Sequence, residues 1–269
     1  SLCVGDTGVH IRLNNSQLGV SYQLYKSGAL TSVVVPGTGA SLDFGLQTGA
    51  GIYTVVATNT TTTCVSNMSG SATITINPLP ATFTVTGGGS YCAGGSGMLV
   101  GLTGSQSGVN YQLYHNSAPV GVALPGTGTA LDLGLQNAVG MYTVAATNAS
   151  TGCQAGMTGS TTINVLPILI PHVNVTPSIA GTVCVGQTVS FSASPINGGS
   201  TPTYQWKVNG ISAGVGSTYA YIPLNGDIVT AMITSTAQCA HPDTGSTSVR
   251  MTVSEMQMPS ATVSADPGS

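Results

Sequence analysis

At 269 residues with 41% hydrophobic side chains, the chain is long enough to fill one large core or two to three small ones. Only 4% of its residues are charged, and four Lys or Arg against seven Asp or Glu leave a net charge of −3. That balance offers no footprint for nucleic acid and no polybasic patch for anionic lipid.

The chain opens with "SLCVGDTGV", which has neither the basic start nor the apolar stretch of a signal peptide. No apolar run approaches the roughly 20 residues of a membrane span. The chain is therefore expected to be a piece of something longer. From Cys3 onward an offset of 89 residues aligns it with itself without a gap. Cys3 falls on Cys92, "YQLY" at Tyr22 on "YQLY" at Tyr111, "PGTG" at Pro36 on "PGTG" at Pro125, and Cys64 on Cys153. About half of the positions between Cys3 and Pro78 are identical to their partners.

Within the first unit the apolar period is two. In "YTVVATN" Tyr53, Val55 and Ala57 share one face and Thr54 and Thr58 the other, and "SATITIN" (Ser71 to Asn77) alternates in the same way. "NPLP" (Asn77 to Pro80) is a stiff connection because proline fixes φ. "PATFTVTGGGS" (Pro80 to Ser90) reads as an edge strand of the second unit, which then repeats the first. After "LPILIP" (Leu166 to Pro171), "PHVNVTPSIAGT" takes the same edge role in a third, diverged unit. That unit continues with "TVSFSA", "YQWKVNG" and "NGDIVTAMITSTAQC"; counted from the flanking cysteine, Trp206 takes the place of Leu24 and Leu113, and Ile228 that of Tyr53. "EMQMP" (Glu255 to Pro259) leads to a closing segment, "PSATVSADPGS".

Turn residues every eight to twelve positions and no long amphipathic helix predict antiparallel β-sandwiches. The six cysteines fall one pair per unit, and the repeat points to pairing within units: Cys3 with Cys64, Cys92 with Cys153 and Cys184 with Cys239. Each bridge would stabilise its unit by about 4 kcal/mol through loop closure. Persistent disulfides imply a setting outside the cytosol.

Sharper chemistry finds little support. "GTG" neither follows the required strand nor opens a helix, so it is no phosphate loop. Asp43 and Asp132 stand at equivalent positions where calcium is conceivable, but an isolated Asp more often caps a turn. His10, His115, His172 and His241 are scattered singly, and no acid and base converge. No enzyme, cofactor or metal is expected. Sequons such as those at Asn59, Asn67, Asn148 and Asn174 suggest N-glycans if the source is a eukaryotic secreted protein, and are chance products of an Asn-, Ser- and Thr-rich chain if the source is bacterial. Tyr22 and Tyr111 share the core face with Leu24 and Leu113, leaving Tyr25 and Tyr114 on the outer face.

The "CxGxxV" openings, "YQW" or "YQLY" strands and "GxYTVxATN" corners resemble the Ig-like and PKD-like repeats of giant Bacteroidetes cell-surface proteins, including gliding-motility adhesins of the type IX export route. The Gly-x-Tyr is similar to the tyrosine corner of the immunoglobulin fold. The resemblance implies an all-β chain of three tandem immunoglobulin-like sandwiches in an elongated rod: residues 1–78 (lacking a first strand), 79–167 and 168–256, with 257–269 as the first strand of a following repeat. It implies a structural or adhesive segment of an extracellular, cell-surface filament or stalk. Its partners would be copies of itself, adjacent repeats or polysaccharide, with no nucleic acid and no membrane span. The alternative is a set of accessory carbohydrate-binding or spacer modules of a secreted hydrolase. Ala261, Thr262, Val263, Ser264 and Ala265 form the expected assembly strand, which would complete the first unit of a following period, either on the same covalent chain or by donation from a neighbouring molecule.

Overall fold

The computed structural model describes residues 1–255 and Val263, and its described residues form strands and turns without a helix. The fold is all-β and immunoglobulin-like. In the first repeat one sheet orders Ala29–Pro36, Val20–Lys26 and Gly51–Asn59, with Val65–Asn67 and Ala72–Ile74 both pairing along the far side of Gly51–Asn59. The facing sheet is the antiparallel pair Val9–Leu13 and Leu42–Gln47. Alternation decides which side chains are sealed between them: Tyr22, Leu24, Tyr53, Val55 and Ala57 from the larger sheet meet Ile11, Leu42 and Phe44 from the smaller.

The second repeat repeats these sheets and adds a strand, Val85–Gly87, on the free side of Met98–Leu102. The third has the same plan, with His172–Pro177, Val189–Ile196 and Thr218–Tyr221 facing a four-stranded sheet through Thr203–Val208 and Ile228–Thr234. Two compact units result: residues 1–89 with 96–164, and residues 90–95 with 165–269.

The corner expected from Gly-x-Tyr is present. Tyr53 Oη donates to the Gly49 carbonyl at 2.8 Å, and Tyr142 Oη to Ala138 at 2.9 Å, so each buried ring pins the turn that leads into its strand. The third repeat holds this turn differently. Leu24 pairs with Val55 and Trp206 with Ala231, which sets Val229, not Ile228, at the Tyr53 position; counting from the flanking cysteine is off by one. Val229 has no hydroxyl, and the buried carboxylate of Asp227 anchors the turn instead. It accepts from Leu224 N at 2.8 Å, Asn209 Nδ2 at 2.8 Å and Tyr221 Oη at 3.2 Å. Burial pushes the Asp227 carboxyl up, but these hydrogen bonds outweigh it and hold it below its ordinary range. Trp206 is fully buried between Phe191 and Tyr219, and its Nε1 donates to the Gly216 carbonyl at 2.8 Å.

The twice-written "PGTG" is scaffolding. Gly37 N donates to Val20 O and Gly126 N to Val109 O, both at 2.8 Å. A Cβ on either glycine would drive into the carbonyl of Gln17 or Gln106, which explains why both are glycine. The following threonines face inward to serine: Thr38 N donates to the buried Ser16 hydroxyl at 3.0 Å, and Thr127 N to Ser105 at 2.9 Å. These groups hold the loop rather than a phosphate.

Candidate functional site

The difference between the first two repeats defines the site. In the second, the chain from Phe83 to Gly88 lies in the gap between the two sheets. Val85, Thr86 and Gly87 pair with Leu102, Gly101 and Val100, while Val85 N donates to Thr158 O and Thr158 N to Phe83 O, both at 2.9 Å. Phe83 packs on Gly104 and against the edge of Tyr111, Val85 is buried, and Thr161 Oγ1 donates to the Gly87 carbonyl at 2.7 Å. This strand thus closes one side of its sandwich by bonding to both layers.

In the first repeat the equivalent space is a groove of about 330 Å³. Ile11, Arg12, Leu13 and Asn14 form one wall, and Met68 to Ala72 the other, with Tyr53 to Val55 behind. These are the counterparts of Val100 to Thr103, Met157 to Thr161 and Tyr142 to Val144. Among the described residues, Val9–Leu13 pairs only with Leu42–Gln47, so its outer backbone groups form an open sheet edge. Asn15 stands where Gly104 makes room for Phe83, so an occupant needs a smaller residue there.

The rim of the groove carries charge. Arg12 and His10 project from one face of the edge strand onto Asp43, with Arg12 Nε 3.1 Å and His10 Nδ1 2.8 Å from Oδ2. The His10 hydrogen bond, with Gly45 N at 2.8 Å and Arg12 adding to it, holds the Asp43 carboxyl down to about 2. Asp132 caps the matching turn through Gly134 N at 2.7 Å, but Leu99 and Gly101 replace His10 and Arg12 there. Both aspartates cap turns. Among the described residues, no group of three or more His, Cys, Asp or Glu is placed to hold a metal.

The cysteines depart from expectation. Cys3 is bonded to Cys153 and Cys92 to Cys239, while Cys64 and Cys184 are free and exposed. The pairs Cys3 with Cys64, Cys92 with Cys153 and Cys184 with Cys239 are therefore corrected. Strand direction supplies the reason. Cys3 pairs with Asn77, just beyond Ile74, which lies opposite Gly51 at the start of the late strand. Cys64 sits past the other end, where its carbonyl accepts from Asn59 N. At about 3.3 Å per residue, the strand Gly51–Asn59 separates them by roughly 25 Å. A disulfide needs Cα atoms within about 7 Å. The opening cysteine thus marks the exit of its repeat and the closing-loop cysteine the entrance, so each bridge spans a junction. Cys3 meets Cys153 beside Leu79 of the first connection, with Cα atoms 5.6 Å apart. Cys92 and Cys239 flank the second: Ala93 N donates to Leu166 O, and Leu169 N to Cys239 O.

Of the tyrosines, Tyr22 and Tyr111 are buried and Tyr25 and Tyr114 half-buried on the outer face. In the expected assembly strand, Ala261, Thr262, Ser264 and Ala265 lie outside the described residues, and Val263 is fully exposed.

The site is thus a groove along an open sheet edge in a chain of immunoglobulin-like sandwiches that carries two disulfides. No protein-family profile matches the chain, and no curated protein does. Among solved structures it is similar to fibronectin(III)-like modules of Clostridium thermocellum CbhA, at 16% identity over 68% of this chain and 100% of that one, with a TM-score of 0.28. It is also similar to the mouse nectin-like molecule 4 ectodomain (Ig1–Ig3), at 13% identity over 98% of both chains and a TM-score of 0.35. At such scores the likenesses carry no weight, and the fold rests on strand pairing and core alone.

Proposed function

We propose that this chain is a non-catalytic structural segment of an extracellular surface filament or adhesin stalk, in which the groove of the first repeat takes an extended strand, either from the same covalent chain or from a neighbouring molecule. The groove supports this reading, because in the second repeat the equivalent space holds an extended segment bonded to both layers. The donor would be a segment of the kind written at residues 259–269, on the same covalent chain or on a neighbouring molecule. There Ala261, Val263 and Ala265 alternate with Thr262 and Ser264, the period of a strand that buries one face, and all are smaller than Phe83, as Asn15 demands. A surface rich in hydroxyls and amides, with 4% charged residues, suits contacts with polysaccharide or neighbouring filaments that salt does not weaken. The resemblance to repeats of giant Bacteroidetes surface proteins, including gliding-motility adhesins, fits the same role.

The test compares the full chain with one lacking residues 259–269, with the free thiols of Cys64 and Cys184 alkylated and the two bridges intact, by light scattering. The full chain is expected to form end-to-end oligomers and the truncated chain to remain monomeric. A peptide of sequence PSATVSADPGS should bind the truncated chain saturably and raise its melting temperature, whereas a scrambled peptide should not. Equal assembly by both chains, or no response to the peptide, rejects the proposal.

A further inference from the structure

The second repeat shows which groups hold a strand in the gap between its sheets, and the first repeat keeps most of them 89 residues earlier. Ala81 N donates to the Gln106 side chain and Thr84 N to Thr103 Oγ1, both at 3.1 Å, and Thr103 N donates to Thr84 O at 3.0 Å. Gln17 and Asn14 stand at the positions of Gln106 and Thr103, and each carries a side-chain carbonyl able to accept the same bond. Ser69 stands at the position of Thr158, whose N–H and carbonyl bond Phe83 and Val85. Among the described residues, the side chains of Gln17 and Asn14 and the backbone N–H and C=O of Ser69 have no hydrogen-bond partner. Together they suit the backbone of a segment antiparallel to Val9–Leu13, as Val85–Gly87 is antiparallel to Met98–Leu102.

The two repeats differ where a side chain would be read. Thr86 lies opposite Gly101, its Oγ1 3.4 Å from where a Cβ on that glycine would stand. The counterpart of Gly101 is Arg12. A residue in the Thr86 position of a strand in the first groove therefore lies directly across from Arg12, at the spacing where cross-strand pairs interact. On its other side Arg12 pairs with Asp43, which bonds Nε alone at 3.1 Å. Asp43 is itself held by His10 and by Gly45 N, so it anchors the guanidinium at the rim. The terminal nitrogens of Arg12 have no partner among the described residues, and its side chain is 67% exposed. A guanidinium bound only through Nε keeps a pair of N–H groups for a second carboxylate.

We propose that Arg12 selects the strand taken by the first repeat: the groove is built for an extended segment that carries Asp or Glu in the position opposite Arg12. This rests on the strand-taking reading of the groove and names the chemistry of its partner. The same charge protects the open edge, because a strand with Lys or Arg in that position is repelled.

The experiment titrates the full chain, its two bridges intact, with three peptides written from residues 80–90 with alanine for Phe83, as Asn15 requires: PATATVDGGGS, PATATVTGGGS and PATATVKGGGS. At low salt the Asp peptide is expected to bind about 3–5-fold tighter than the Thr peptide and roughly tenfold tighter than the Lys peptide, a preference that shrinks as salt rises. Arg12→Gln is expected to remove the preference and Arg12→Glu to reverse it; should either variant unfold, the peptide series and its salt dependence on the unaltered chain decide the matter. Hydrogen exchange at the Asn14 and Ser69 amides reports docking separately, since these groups bond the strand's backbone whatever its side chains. Protection there by all three peptides at equal affinity, or a preference that survives Arg12→Gln, overturns selection by Arg12 and leaves the strand-taking reading intact. Absence of binding by all three, or binding without protection of those amides, defeats both.

Discussion

Removing the first junction bridge isolates what it contributes. Cys3→Ala/Cys153→Ala opens a loop whose ends are 150 residues apart, and chain-entropy reasoning gives about 5 kcal/mol for a loop of that length. With a urea m-value of about 1–3 kcal/mol/M, the unfolding midpoint of the first two repeats should fall by roughly 2 M or more. Trp206, the one tryptophan, sits in the core of the third repeat and provides an internal control. Far-UV circular dichroism should show the first two repeats melting early while the Trp206 fluorescence transition keeps its midpoint. Cys64→Ala is the discriminating companion. Cys64 is free and exposed, so the substitution should be silent within about 0.5 kcal/mol. If Cys64→Ala instead costs about as much as Cys3→Ala, the bridge is internal to the repeat and the junction reasoning fails.

Tyr53→Phe and Tyr142→Phe each delete one corner hydrogen bond, so each should cost about 1 kcal/mol in urea denaturation, with larger losses if the turn rearranges. Asp227→Ala removes the acceptor for three donors and should cost about 1–3 kcal/mol per group left unpaired, seen in the Trp206 transition alone. Asp43 and Asp227 both titrate below their ordinary range in the folded chain, so they stabilise above the unfolded carboxyl pKa of 3.8. That contribution is lost as pH falls through the folded values, about 2 for Asp43. Urea midpoints between pH 5 and pH 2 should therefore decline, and His10→Ala should flatten the part due to Asp43.

Much of the architecture is legible because strand periodicity is local. The alternation of Tyr53, Val55 and Ala57 assigns the core face without any tertiary information, and the same reasoning buries Tyr22 and Tyr111 while leaving Tyr25 and Tyr114 half-buried. The tyrosine corner follows from three adjacent letters. The disulfides do not, because internal repetition shows which cysteines are equivalent and says nothing of which end of the sandwich each occupies. That depends on the antiparallel register of Gly51 opposite Ile74 and the parallel pairing of Cys3 with Asn77, both nonlocal. Asp227 escaped notice for a related reason: an isolated acid reads as surface until Asn209, Tyr221 and Leu224 are brought around it. The depth of the groove beside Ile11 and Met68 likewise needed the second repeat as a template.

The most direct measurement is a peptide map of the oxidised, unreduced protein with free thiols alkylated before digestion. The expected map joins Cys3 to Cys153 and Cys92 to Cys239, with Cys64 and Cys184 alkylated in the monomer fraction. Peptides joining Cys3 to Cys64, Cys92 to Cys153 and Cys184 to Cys239 would show self-contained repeats and contradict a chain stitched across its junctions.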